Sequence, residues 1–268
     1  MYAEEKQREK SMKNYKITVQ YDGTRYKGWQ VQKATEATIQ GKLQNVLSKL
    51  AGHPVEVIGS GRTDAGVHAA GQVANFHMEE HFSVEEICDN LNEFLPEDIA
   101  VTEIAEVDDR FHSRYNAVSK TYSYRIRTSP AADVFERRFV YHYGKPLDVG
   151  RMKAAAERLK GTHDFASFCG NKKMKKSTVR TIMDITFAEK DGEIEIRYTG
   201  DGFLQNMIRI LTGTLIEVGR GERDIESMTA ILAAKNREAA GYTAPPQGLR
   251  LEKVEYATVG SDKQESGF

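Results

Sequence analysis

Cysteine is almost missing from this sequence: only Cys88 and Cys169 occur, and neither belongs to a Cys-x-x-Cys pair. That excludes a disulfide framework and a cysteine-built zinc site, and it suits a reducing compartment, the cytoplasm. The seven histidines carry no zinc-binding spacing. His77 and His81 are four apart, but their segment reads as a strand end and turn rather than a helix face. No metal or other cofactor is expected. No apolar run approaches the roughly 20 residues that span a bilayer, so no membrane partner is expected. The start, Met1 to Lys13, is charged and lacks the apolar centre of a secretory signal. An excess of either charge is also missing, because 38 Lys and Arg stand against 39 Asp and Glu, a net charge of −1. The chain is therefore not an unspecific polyanion binder. Hydrophobic residues at 40% and charged residues at 29% give an ordinary globular balance.

The charges that are present are segregated. From Glu79 to Asp109 the sequence has twelve acidic residues and neither Lys nor Arg. From Arg110 to Thr128 it has Arg110, Arg114, Lys120, Arg125 and Arg127 and no acid. A second basic cluster, Lys172, Lys173, Lys175, Lys176 and Arg180, follows later. Such segregation can make one surface attractive to phosphates on a nearly neutral molecule, although a charge run is also what any solvated face carries.

Tyr15, Ile17, Val19 and Tyr21 alternate with polar residues and predict a half-buried strand. Thr38 caps a helix with apolar positions Ile39, Leu43, Val46, Leu47 and Leu50, and Gly52 lies just past its end. Strands are expected over Val55 to Ser60 and Gln72 to His77. Ser83 and Glu86 open a helix through Ile87, Leu91 and Phe94 that Pro96 ends, and Ile99 to Val107 is a further strand. This strand-helix-strand-strand-helix-strand order is the ferredoxin-like split unit.

The remainder repeats the theme. Strands are expected over Ser119 to Arg127 and Arg138 to Tyr143. A helix capped by Asp148 carries Met152, Ala155, Ala156 and Leu159. Val179 to Phe187 and Glu193 to Thr199 pair across Lys190-Asp191-Gly192. Helices from about Leu204 to Val218 and Ile225 to Leu232 precede a last strand, Leu249 to Tyr256. The expected fold is α+β: two ferredoxin-like, RRM-like halves, 13–109 and 110–260, forming a largely antiparallel sheet. The ends, 1–12 and 261–268, read as a flexible leader and tail. Fold alone does not fix function, and the aromatic signature of RNA-recognition modules is missing.

The densest chemical signal is Gly59-Ser60-Gly61-Arg62-Thr63-Asp64-Ala65-Gly66-Val67-His68-Ala69. Thr-Asp-Ala-Gly is also ordinary turn chemistry. What distinguishes the segment is length: a simple hairpin needs about two to five residues, and this loop runs to roughly ten. The run Gly61 to Ala69 resembles the active-site segment of the tRNA pseudouridine synthase A (TruA) family. The resemblance extends from Tyr21-Asp22-Gly23-Thr24-Arg25-Tyr26-Lys27-Gly28-Trp29-Gln30, through Lys120-Thr121-Tyr122-Ser123-Tyr124 and Gly202-Phe203-Leu204-Gln205-Asn206-Met207-Ile208-Arg209, to Thr243-Ala244-Pro245-Pro246-Gln247-Gly248-Leu249.

The resemblance implies an isomerase that turns uridine into pseudouridine in the anticodon stem-loop of tRNA, at positions 38, 39 and 40. It implies that Asp64 is the catalytic aspartate, Tyr122 the active-site tyrosine, Arg209 the arginine paired with that aspartate and Arg62 the residue that guides and flips the target base. It also implies helices on one side of the sheet, a basic cleft between the halves and a homodimer.

The chemistry agrees. Pseudouridine formation breaks the N1–C1′ bond and rejoins uracil through C5, with no change of oxidation state. One ionised carboxylate can act at C6, at C1′ or through a glycal, and the sequence leaves these routes open. Lys172, Lys173, Lys175, Lys176 and Arg180 are the candidate contacts to the RNA backbone. Tyr122 also fits a core position beside Tyr124 and Ile126 on one strand face. The alternatives are a non-catalytic structured-RNA-binding or RNA-folding protein on the same scaffold, and a carboxylate hydrolase. The hydrolase usually needs a second carboxylate, and from Val55 to Met78 only Glu56 accompanies Asp64.

Overall fold

Two copies of one strand order, joined side by side, make up the sheet. The computed structural model describes residues 12–79, 81–171 and 173–257. The leader and tail expected from the sequence lie outside the described residues, apart from Met12, and so does Lys172. The first half runs β1 (Met12–Tyr21), α1 (Ile39–Ala51), β2 (Ile58–Gly59), β3 (His68–Glu79), α2 (Val84–Phe94) and β4 (Ile99–Val107). The second runs β5 (Ala117–Arg127), β6 (Tyr141–His142), α3 (Val149–Glu157), β7 (Gly161–Asp164), β8 (Val179–Lys190), β9 (Glu193–Gly200), α4 (Met207–Gly219), α5 (Ser227–Ala234) and β10 (Leu249–Tyr256).

The first half is ordered β4-β1-β3-β2, all antiparallel, and the second β10-β5-β9-β8, also antiparallel, with β7 beyond β8. Each half therefore places its last long strand beside its first. The halves meet where β10 runs parallel to the start of β3, with Arg250 opposite His68 and Leu251 opposite Ala69. A mixed, mostly antiparallel sheet of ten strands results among the described residues.

Local chemistry sets the elements. The Thr38 side chain accepts from the Gly41 amide, and Gly52 closes α1 in the left-handed region. Ser83 and Asp148 cap α2 and α3 in the same way. Asp191 and Gly192 both have positive φ, the geometry of a tight two-residue hairpin between β8 and β9. On β1 the alternation holds: Tyr15, Ile17, Val19 and Tyr21 are buried, and each such side chain contributes about 1.5–3 kcal/mol of apolar burial.

Several elements differ from the sequence reading. The strand expected over Val55 to Ser60 shrinks to Ile58–Gly59 because α1 captures the preceding backbone. The Val55 and Val57 amides donate to Ser48 and Gln44 side chains, and Gln40 donates to the Val57 carbonyl. Of Arg138 to Tyr143 only Tyr141–His142 pairs, parallel to the end of β5. β7 follows directly on α3, where Gly161 reads as a helix stop and Thr162 and His163 give no apolar alternation.

Candidate active site

Asp64 sits in the loop between β2 and β3, and the segment after β1 is its seat. The Trp29 amide donates to the Thr63 carbonyl at 3.1 Å, and the Gly66 amide to the Tyr26 carbonyl at 3.2 Å. The Tyr21 and Thr63 hydroxyls share a buried hydrogen bond of 2.8 Å. Gly28 has φ +94°, and a Cβ there would stand 2.6 Å from the Thr63 carbonyl oxygen. The glycine is thus required both by its backbone angle and by the close approach. Buried Trp29 lies over Gly59, where a Cβ would meet the indole at 2.5 Å. The second half also holds the loop: Lys120 Nζ donates to the Ser60 carbonyl at 2.7 Å.

The partner of Asp64 also comes from the second half. Arg209, on the first turn of α4, places Nη1 3.7 Å from Asp64 Oδ2. The guanidinium is fixed from two sides. Nε donates to the Ala244 carbonyl at 2.7 Å, and Nη1 to Asn206 Oδ1 at 2.9 Å. Asn206 starts α4 with φ +58° and does not cap it with its side chain, which serves Arg209 instead. Burial pushes the Asp64 carboxyl up, while Arg209 and the Asn206 backbone pull it down; burial prevails.

Tyr122, on β5, is 7% exposed and meets the edge of Phe203 with ring centres 5.5 Å apart. Burial raises its hydroxyl well above the usual tyrosine range, and Tyr21 and Asp64 add to the rise, so it stays protonated. Tyr122 therefore fits both readings of the sequence: a core ring, and a ring within electrostatic reach of Asp64.

The other expected residues are placed differently. Arg62 is exposed and donates to Gln30 Oε1 at 3.0 Å, and Gln30 donates to Gln40 at 2.7 Å. It faces outward and does not pair with Asp64. Lys173, Lys175 and Lys176 are exposed on the loop before β8. Lys175 and Lys176 line a cavity of about 680 Å³ together with Lys235 and Arg237. The start of that loop borders the site, with the Gly170 amide bonded to the Gln205 carbonyl at 2.8 Å and the Asn206 side chain close against Gly170. Arg180, at the start of β8, is half-buried on the side of Lys120.

Among the described residues no group of His, Cys, Asp and Glu could hold a metal ion. Asn206 and Phe203 were not singled out by sequence reasoning. The available signal for Asn206 was its type, since Asn is the non-glycine residue that best tolerates the left-handed region directly before a helix.

Two matching split units thus set a carboxylate and an arginine against each other across their junction. A family model described as tRNA pseudouridine synthase matches residues 17–116 and 155–257, which include Asp64 and Arg209 and leave Tyr122 between the two matched stretches. The chain is 50% identical over 245 residues to "tRNA pseudouridine synthase A" of Bacillus sp. (strain KSM-64), covering 91% of this chain and 100% of that one. It is 46% identical over 245 residues to "tRNA pseudouridine synthase A 2" of Bacillus anthracis, covering 91% of this chain and 100% of that one. It is 48% identical over 239 residues to "tRNA pseudouridine synthase A" of Halalkalibacterium halodurans, covering 89% of this chain and 90% of that one. The chain belongs to the tRNA pseudouridine synthase family and is an isomerase.

Proposed function

We propose that this enzyme converts uridine to pseudouridine at positions 38, 39 and 40 of the tRNA anticodon stem-loop, with Asp64 as the catalytic carboxylate. The contact between Asp64 and Arg209 carries the reading, because it joins the two halves at the long loop and sets a largely desolvated carboxylate against a fixed cation. A uridine in a stem must leave its stack to reach Asp64, at a cost of a few kcal/mol. Exposed Arg62, next to buried Thr63, takes the vacated space or the flanking phosphate. Tyr122 packs against the flipped uracil, with its protonated hydroxyl as a donor. Lys173, Lys175, Lys176 and Arg180 hold the RNA backbone. Lys172, in the same cluster, shares that role in this proposal. Residues 13–109 and 110–260 act as two halves around a basic cleft, and the enzyme works as a cytoplasmic homodimer. No helix among the described residues is long and apolar enough to cross a membrane.

Mapping pseudouridine at single-nucleotide resolution in tRNA transcripts incubated with the enzyme tests the target. Modification confined to positions 38 to 40 supports the proposal. Modification elsewhere overturns the positional assignment, and bound but unmodified RNA would favour the non-catalytic RNA-binding alternative.

A further inference from the structure

We infer that Lys120, Arg114 and Arg180 together bind one phosphodiester group of the RNA, beside the catalytic loop. This rests on the RNA-directed reading above and names a specific contact within it.

Lys120 lies two residues before Tyr122 on β5, so both project from the same face. Its ammonium donates to the Ser60 carbonyl at 2.7 Å. A Cβ on Gly61 would come within 2.9 Å of it. The cation therefore rests against the loop, with only Gly61 between Ser60 and Arg62. Across the sheet, Lys120 stands opposite Gly200 of β9, and Gly200 stands opposite Ile182 of β8. Gly200 itself adds no side chain between them, and the edge of the Phe203 ring lies 3.2 Å from where its Cβ would be. Arg180 is two residues before Ile182 and so on the same face of β8. It also borders Gly202, where a Cβ would lie 3.8 Å from Nε.

Arg114, exposed and close enough to act on the Lys120 ammonium, follows Ser113 on a fixed turn. Buried Ser113 donates its hydroxyl to the Ile58 carbonyl at 2.6 Å and its amide to Asn75 Oδ1 at 2.9 Å. That ties the turn to the strands flanking the catalytic loop.

Among the described residues the three cations share no anion. Burial first, then the positive charges of Arg114 and Arg180, depress the Lys120 ammonium to about 8. Among the described residues no carboxylate forms an ion pair with any of the three. The nearby acid, Asp201, accepts from the Thr181 amide at 3.0 Å. Like charges held together without a counter-charge repel, and an anion between them removes that repulsion. RNA supplies one as its backbone phosphate, and here it would flank the nucleotide presented to Asp64.

The test is binding of an unmodified tRNA transcript across a salt series, for Lys120→Met, Arg114→Ala, Arg180→Ala and the paired variants. One phosphate contact contributes a slope of roughly 0.7–0.9 in log K against log salt. Each single variant is expected to flatten the slope and to weaken binding. The pairs are expected to flatten it by no more than about one in total, because the residues share one phosphate. Slopes equal to the parent enzyme, or pairs that lose about two, overturn the shared site. If Lys120→Met does not melt cooperatively, the pair Arg114→Ala with Arg180→Ala gives the same comparison without touching the buried lysine. A parent enzyme that forms pseudouridine while the slopes stay fixed removes only this site; one that forms none removes the function proposed above.

Discussion

Asn206 Oδ1 accepts a hydrogen bond from Arg209 Nη1 at 2.9 Å, and the same nitrogen stands 3.7 Å from Asp64. The left-handed backbone of Asn206 turns its side chain away from helix capping and onto the arginine that faces Asp64. Arg209 is thus aimed by Asn206 and Ala244 before any substrate arrives, which is what electrostatic preorganisation requires.

Asn206→Gly isolates that role, since glycine keeps the positive φ without strain and removes only the acceptor. A hydrogen bond to a charged group is worth about 1.5–3 kcal/mol, so kcat should fall about 10- to 100-fold. Arg209 would then lower the Asp64 carboxyl less, and the acid limb of the kcat profile should move to higher pH. A pH–rate series checks both; an unmoved limb would show that Asn206 does not act through Arg209.

Ionised Asp64 is disfavoured by folding, because its folded pKa lies above the ordinary value near 3.8. A raised carboxylate means the folded state binds more protons, so this group's contribution to stability falls as pH rises through that window. Asp64→Asn should therefore melt higher than the parent at pH 7, with the gain shrinking towards pH 4 and below. Melting curves of both proteins across pH test the sign.

Tyr122→Phe keeps the ring against Phe203 and removes a hydroxyl that stays protonated at every working pH. Stability should change little, while a lost proton donor should lower kcat by about 10²–10⁴. Tyr122→Ala removes the ring too and should cost about 3–5 kcal/mol in denaturant unfolding. Equal kcat for Tyr122→Phe and the parent would leave the residue a packing role alone.

Gly28→Ala tests the seat of the Asp64 loop, since the new Cβ would stand 2.6 Å from the Thr63 carbonyl at φ +94°. A loss of more than about 1 kcal/mol is expected from the backbone angle alone. Turnover should fall further than RNA binding does, and denaturant unfolding with parallel rate and binding assays measures all three.

Much of this was legible in the sequence where local chemistry decides structure. Thr38, Ser83 and Asp148 cap the helices they were expected to cap, and Asp191-Gly192 makes the hairpin turn. The repeated strand and helix order was legible too. What stayed hidden depends on distant partners. Val55 to Val57 has a strand-like composition, but its backbone groups bond to side chains of α1. Helix α4 begins at Met207 rather than Leu204 because Asn206 leaves the helical region, which apolar spacing does not report. In the site, the resemblance named Asp64, Arg62, Tyr122 and Arg209. Only the fold shows that Arg209 lies beside Asp64 while Arg62 points outward to Gln30.

In the proposed reaction Asp64 drives C–C bond formation at C5 of a tRNA uridine. Joining C1′ to C5 releases the hydrogen that C5 carried, so tRNA labelled with tritium at uracil C5 reports each turnover. The parent enzyme should release label to water, and Asp64→Asn should release it about 10⁴-fold more slowly while binding the same tRNA. Label release by Asp64→Asn at the parent rate would remove Asp64 from the reaction, and none from the parent with binding confirmed would remove the reaction itself.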